Sequence, residues 1–152
     1  AGEGRALLCF DLDNFKQIND QHGHEAGDTV LSTIASRIEN AMRGETIFSR
    51  HGGDEFTIYF PVMERPTIAS VADRLCRTVA KDPVIYRGAR LPITISIGCY
   101  WTERAATYEE MFRIADEQLL ISKSKGRNRS TVLLDRSDRY DSEPAGELVY
   151  AN

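Results

Sequence analysis

Residues 6–12, Ala6-Leu-Leu-Cys-Phe-Asp-Leu12, constrain the fold most tightly: an apolar run of strand length that ends in acids. A short run with no polar alternation reads as a strand covered on both faces, and so as the centre of a sheet. Asp11 and Asp13 then stand at the end of a buried strand, two residues apart, and on one face if the strand extends that far. An ionised carboxylate buried without a partner is costly or titrates until it is neutral, so such a strand needs a counter-charge.

The rest of the chain supplies the elements around that strand. Between 25 and 42, Val30, Leu31, Ile34, Ala35, Ile38, Ala41 and Met42 recur at three and four and predict a helix. Ile68, Val71, Ala72, Leu75, Val79 and Ala80 predict a second. Met111, Ile114, Ala115, Leu119 and Ile121 predict a third over 108–124, with Gly126 as its stop. The β-prone runs 46–50 and 55–60, split by His51-Gly52-Gly53-Asp54, read as a hairpin. A smaller hairpin over 84–86 and 91–100 turns at Arg87-Gly88 and leads into a long strand, and 131–134 gives a last one. This β-α-β-β-α-β-α-β order predicts a mixed sheet covered by helices, in the α/β (α+β) class. Residues 1–134 are expected to form one domain, and 135–152, polar and punctuated by Pro and Gly, a tail or linker.

Nineteen Lys and Arg against 23 Asp and Glu leave a net charge of −4. A net acidic domain lacks the basic face that nucleic acid or anionic lipid requires, and no apolar run approaches the roughly 20 residues that span a bilayer. Neither nucleic acid nor membrane is therefore an expected partner. Cys9, Cys76 and Cys99 stand singly in apolar stretches, as free core thiols do in a reducing, cytoplasmic setting.

The candidate chemistry lies in the polar residues beside these apolar runs. Asp54 and Glu55 follow the Gly52-Gly53 turn next to apolar strands, much as Asp11 and Asp13 do. A hard divalent cation would resolve such a cluster, and oxygen-only ligands select Mg²⁺ or Ca²⁺ over zinc. Each feature alone has an ordinary explanation: a helix N-cap for Asp-x-Asp, a solvated hairpin tip for Asp54-Glu55, a plain turn for Gly-Gly. The stretch Phe15-Lys16-x-x-Asn19-Asp20-x-x-Gly23-His24-x-x-Gly27-Asp28 adds an aromatic, a cation, an amide and a carboxylate. An amide with a carboxylate can meet the edge of guanine, and Lys16 can meet a phosphate as a point charge. His22 and His24, with no Cys beside them, do not make a zinc set. Lys123-Ser-Lys125-Gly126-Arg127-Asn128-Arg129 packs four cations into seven residues. Alone this is a solvated helix C-terminus; with the acids it supplies the counter-charge of a triphosphate.

The segment Phe10 to Leu31 resembles the first motif of the GGDEF family of diguanylate cyclases. Ser49-Arg-His-Gly-Gly-Asp-Glu-Phe56 contains that family's name as written. Ile93-Thr-Ile-Ser-Ile-Gly98 and Ser122-Lys-Ser-Lys-Gly-Arg-Asn128 resemble its later strand and closing motif, in order and spacing over residues 6–134. The resemblance implies a nucleotide-cyclase-like mixed five-stranded sheet wrapped by helices, with a small β-hairpin. It implies condensation of two GTP into cyclic di-GMP with release of two pyrophosphates, in bacterial signalling. Asp11, the Leu12 carbonyl and Asp54 would hold Mg²⁺, or Mn²⁺ in its place, with Glu55 close by, and Asp54 and Glu55 would be catalytic. Asn19 and Asp28 would bind guanine with His24 near the nucleotide. Phe15, Lys16, Gly52 and Gly53 would line the phosphate cradle, and Lys123 and Arg127 would hold the outer phosphates. A homodimer would be needed, because each domain of this family holds one GTP. The expected setting is the cytoplasm, alone or as the cytoplasmic part of a larger, membrane-anchored protein.

Three departures from the family pattern qualify those expectations. The Asp-x-Leu-Thr-Gly-Leu-x-Asn-Arg segment that precedes the first strand in the family is absent, which suggests a longer parent protein. The family's inhibitory product site requires Arg-x-x-Asp, whereas the aligned residues are Arg43-Gly44-Glu45-Thr46. Gln118-Leu-Leu-Ile-Ser122 replaces the usual Ala-Leu-Tyr-x-Ala, a change expected to affect packing more than chemistry. The alternative function is a regulatory GTP-binding module that does not turn over, controlling an attached domain such as a cyclic di-GMP phosphodiesterase.

Overall fold

The computed structural model describes residues 3–135 and 148–151. The first strand, β1 (Glu3–Leu12), has Ala6 to Phe10 wholly buried. It is followed by α1 (Phe15–His22), α2 (His24–Ala41), β2 (Ile47–Gly52), β3 (Glu55–Glu64) and α3 (Arg65–Lys81). A short hairpin of β4 (Val84–Tyr86) and β5 (Ala89–Leu91) leads to β6 (Ile95–Thr102), α4 (Tyr108–Ser124), β7 (Arg129–Asp135) and β8 (Leu148–Ala151).

The main sheet runs β2-β3-β1-β6-β7-β8, and β4-β5 forms a separate pair. β1 is antiparallel to β3 and to β6, while β6 and β7 are parallel, so the sheet is mixed. The five strands expected of the fold are present as β2-β3-β1-β6-β7. β8 adds a sixth, antiparallel to β7, from the segment read as tail. The small hairpin turns at Arg87 and Gly88, both with positive φ, as a two-residue turn between twisted strands requires. Pro92 then separates it from the main sheet.

Helices cover both faces of the sheet, which is why β6 is buried at every position. Leu8, Phe10, Ile34, Ile58 and Leu75 belong to the core under α2 and α3; Leu7, Cys9, Met111 and Leu119 belong to the one under α4. α4 lies so close to β6 that a Cβ on Gly98 would sit 2.1 Å from the Leu119 amide nitrogen. On the other face two arginines cap the helices reciprocally. Arg37 of α2 donates to the Asp82 and Pro83 carbonyls after α3, at 2.6 and 3.1 Å, and Arg74 of α3 donates to the Ala41 carbonyl at the end of α2.

The three cysteines are free and buried. Burial pushes the Cys76 thiol up to about 12 and the Cys9 and Cys99 thiols well above the ordinary range, so all three are inert core residues. Among the described residues no helix is long and apolar enough to cross a membrane.

Candidate active site

Strand register assembles the acids. Asp11 stands opposite Glu55 on one side and Ser96 on the other. Gly52 pairs with Glu55 and closes the turn through Gly53 and Asp54. Gly52 and Gly53 have φ of +103° and +55°, which glycine adopts without steric cost. The Arg50 guanidinium clamps this turn from within, donating to the Gly53 carbonyl from Nε at 2.9 Å and Nη2 at 2.6 Å.

Lys123, in the last turn of α4, donates to Asp11 Oδ2. The other carboxylate oxygen, Oδ1, is buried with no hydrogen-bond partner among the described residues. Partial burial and the charge of Asp11 hold the Asp54 carboxyl above its ordinary range. Burial likewise raises Glu55, with Asp11 and Asp116 adding to the rise and His51 and Lys123 opposing it. Negative charge is therefore in excess here. The buried, donorless oxygen of Asp11 is the kind of atom that a divalent cation satisfies. No group of three or more His, Cys, Asp or Glu is gathered for a metal among the described residues. What fits a hard divalent cation is the orphaned Asp11 oxygen beside neighbouring carboxylates, since such an ion can take one or two protein carboxylates and complete its shell with water and phosphates.

Asp13 has a different fate from Asp11. β1 ends at Leu12, and the Asp13 carboxylate, 6% exposed, accepts from Ser96 Oγ at 2.6 Å, Thr94 Oγ1 at 2.7 Å and the Asn128 amide at 3.0 Å. It ties the loop before β6 to the loop after α4 and has little capacity left for a metal.

The residues expected to meet the base lie on the α1–α2 pair, where Phe15 packs against the core. Gly27 is buried in α2 beneath Asn19, and a Cβ there would fall 1.9 Å from Asn19 Oδ1. The Asn19 amide therefore lies over Gly27, the residue before Asp28 in sequence. The side chains of Lys16, His24, Asp28 and Arg127 are exposed and make no hydrogen bond or ion pair within the described residues. α4 ends in paired bonds from Arg127 N to Ser122 O (3.0 Å) and from Gly126 N to Lys123 O (3.3 Å). Gly126 carries the positive φ this ending requires, and Arg127 follows it as a free cation on the same turn as Lys123. Strand register and the Lys123 bond bring Asp11, Glu55 and Lys123 together, with the Asp54 carboxyl coupled to Asp11, while Asn19 lies over Gly27.

Sequence reading overlooked the parts played by Asp116 and His51, and it singled out Asp13 without its structural role. Asp116 acts on Glu55 through space. Asp13 is structural, and His51 bonds with Thr57 and Tyr108. The seven-residue spacing of Asp116 and Lys123 on one helical face was the available signal for Asp116.

A mixed sheet whose central antiparallel strand carries acids to a glycine turn, wrapped on both faces by helices, is a cyclase-type fold. The family model for the diguanylate cyclase GGDEF domain matches residues 2–129, and the chain belongs to this family. It is 36% identical over 134 residues to diguanylate cyclase A of Treponema denticola, covering 86% of this chain and 35% of that protein. It superposes with a TM-score of 0.80 on the diguanylate cyclase SiaD of Pseudomonas aeruginosa, solved with its activator SiaC, at 32% identity over 85% of this chain and 50% of that one. The GGDEF domain of DgcB from Caulobacter crescentus, solved with c-di-GMP, gives 0.79 at 30% identity, over 86% and 78% of the two chains. The chain spans about a third or less of the length of curated relatives it matches.

Proposed function

We propose that this chain is the nucleotidyltransferase unit of a diguanylate cyclase, joining two GTP into cyclic di-GMP and releasing two pyrophosphates. One observation carries the reading: Asp11, coupled electrostatically to Asp54 and Glu55 and bonded to Lys123, keeps a buried carboxylate oxygen that lacks a donor among the described residues. That arrangement is suited to a metal-bound triphosphate. Names among the relatives support the same chemistry.

In this reading Asn19 and Asp28 hold guanine, with His24 alongside, while Phe15, Gly52 and Gly53 shape the phosphate cradle. Lys16, Lys123 and Arg127 stabilise phosphate charge without reacting. Mg²⁺, or Mn²⁺ in its place, held by Asp11, the Leu12 carbonyl and Asp54 with Glu55 close by, would stabilise the attacking and leaving oxygens. The 3′-hydroxyl of one GTP attacks the α-phosphorus of the other and expels pyrophosphate. Asp54 accepts the hydroxyl proton. The same step with the two nucleotides exchanged closes the ring, so two copies must face each other as a homodimer. Free buried thiols suit a cytoplasmic setting.

The test is incubation with GTP and Mg²⁺, followed by chromatography for cyclic di-GMP. Asp54→Ala should abolish product and keep the native circular dichroism, because a turn residue contributes little to the core. Bound GTP without product in a paired, full-length protein would instead favour the non-cycling module. If saturating GTP adds no stability, where a ligand at about 100 times its Kd adds about 2.7 kcal/mol, both readings fail.

A further inference from the structure

His51 is the extra residue of a β-bulge. β2 meets β3 with Ser49 opposite Thr57, Arg50 opposite Phe56, and then Gly52 opposite Glu55, so the register shifts across His51. A bulge beside a turn re-aims the side chain of its extra residue. Here the imidazole comes onto the face that α4 covers. Nε2 lies 3.1 Å from Thr57 Oγ1 and 3.0 Å from the Tyr108 hydroxyl, and those two oxygens are 3.2 Å apart. The Phe112 ring, one helical turn after Tyr108, packs against the imidazole with centroids 5.1 Å apart.

We infer that His51 is a positioning residue for the acids of the glycine turn: its bonds to Thr57 and Tyr108 pin the bulge to the first turn of α4. The turn needs such an anchor. Nothing lies within 4 Å of where a Cβ would stand on Gly52 or Gly53, so the two glycines are not packed in place, and the Arg50 clamp is internal to the hairpin. β2 is moreover the edge strand, paired on one side only. α4 carries Asp116 and Lys123, the two groups that act on Glu55 from outside the hairpin and β1. Anchoring the bulge to this helix sets Asp54 and Glu55 relative to the lysine on its last turn. The catalytic consequence rests on the cyclase reading; the anchoring does not.

The test uses Tyr108→Phe, which removes one hydroxyl from a half-exposed ring, and His51→Phe, which keeps a ring without its nitrogen. His51→Gln serves as the conservative variant that can still bond to both hydroxyls. Amide hydrogen exchange needs no nucleotide. Residues 52–55 should exchange about tenfold faster in the two Phe variants, roughly the loss of one hydrogen bond, with the amides of β1 and β6 unchanged and His51→Gln near wild type. In cyclic di-GMP synthesis the same two variants should lose about tenfold in kcat with little change in KM, as misplaced reacting groups do. Unaltered exchange at 52–55 overturns the anchoring. Faster exchange with unaltered kcat overturns the positioning role. If exchange responds as expected but wild-type protein makes no product, the cyclase reading fails and the anchor stands.

Discussion

Lys123 and Asp11, 112 positions apart in sequence, are joined where the last turn of α4 meets the end of β1, and their bond leaves the second Asp11 oxygen buried and unpaired. One carboxylate thus serves a fixed cation on one side and has its other oxygen available for a metal.

Replacing Lys123 by Met should separate these two roles. Loss of the lysine charge should leave affinity for free Mn²⁺ equal or higher, while GTP affinity falls about tenfold, or ~1.4 kcal/mol. Calorimetric titration of each ligand alone checks this. Unchanged GTP affinity would mean that Lys123 serves Asp11 and not a phosphate.

The raised Asp54 carboxyl has a signature in stability. Its folded pKa exceeds its unfolded one, so its contribution is most favourable below the unfolded pKa and is lost as pH rises through the folded value. At neutral pH the charged form is opposed by burial and by Asp11. Asp54→Asn should therefore raise the melting temperature near pH 8, and the advantage should shrink as pH falls through the carboxylate range. Melting curves against pH without metal decide it; a variant less stable than wild type at pH 8 contradicts the electrostatic picture.

Gly27→Ala should displace Asn19, since the added carbon would fall 1.9 Å from its Oδ1 and 3.2 Å from Phe15 Cζ. GTP affinity should drop about tenfold, ~1.4 kcal/mol, and preference over ATP should narrow. In an Asn19→Ala background the same substitution should cost little further stability, because the obstructing amide is gone. Undiminished preference for GTP in Gly27→Ala would remove Asn19 from base recognition.

Product inhibition should be weak or absent, because Arg43-Gly44-Glu45-Thr46 has no aspartate where the family's product site places one. Calorimetry with cyclic di-GMP measures this, and tight binding that disappears in Arg43→Ala would refute it.

Much of the site was legible because its parts are local. The apolar run of β1, the acids at its end and the Gly-Gly turn are contiguous strings, and the antiparallel pairing of Asp11 with Glu55 follows once β1 and β3 are neighbours. α1 was not legible: it is eight residues long with no fully buried residue, and Phe15 and Ile18 alone make too short an apolar stripe to detect. β8 is four residues long and follows a Pro-Gly stretch, too little pattern for a strand. The fate of Asp13 depends on Thr94, Ser96 and Asn128, 81 to 115 positions away, and no local spacing distinguishes it from Asp11. His51 was hidden for a related reason, since only a bulge in the pairing turns it toward Tyr108.

The bare glycine at position 98 gives α4 a fulcrum. The helix bears on the sheet backbone-to-backbone near its middle, at Ala115 and Leu119, with Tyr108 at one end and Lys123 at the other. A methyl group at that point would lift the whole lever, loosening the grip on the hairpin and drawing the lysine away from Asp11 in a single movement. A residue with no side chain therefore sets the alignment of two contacts made at opposite ends of the helix.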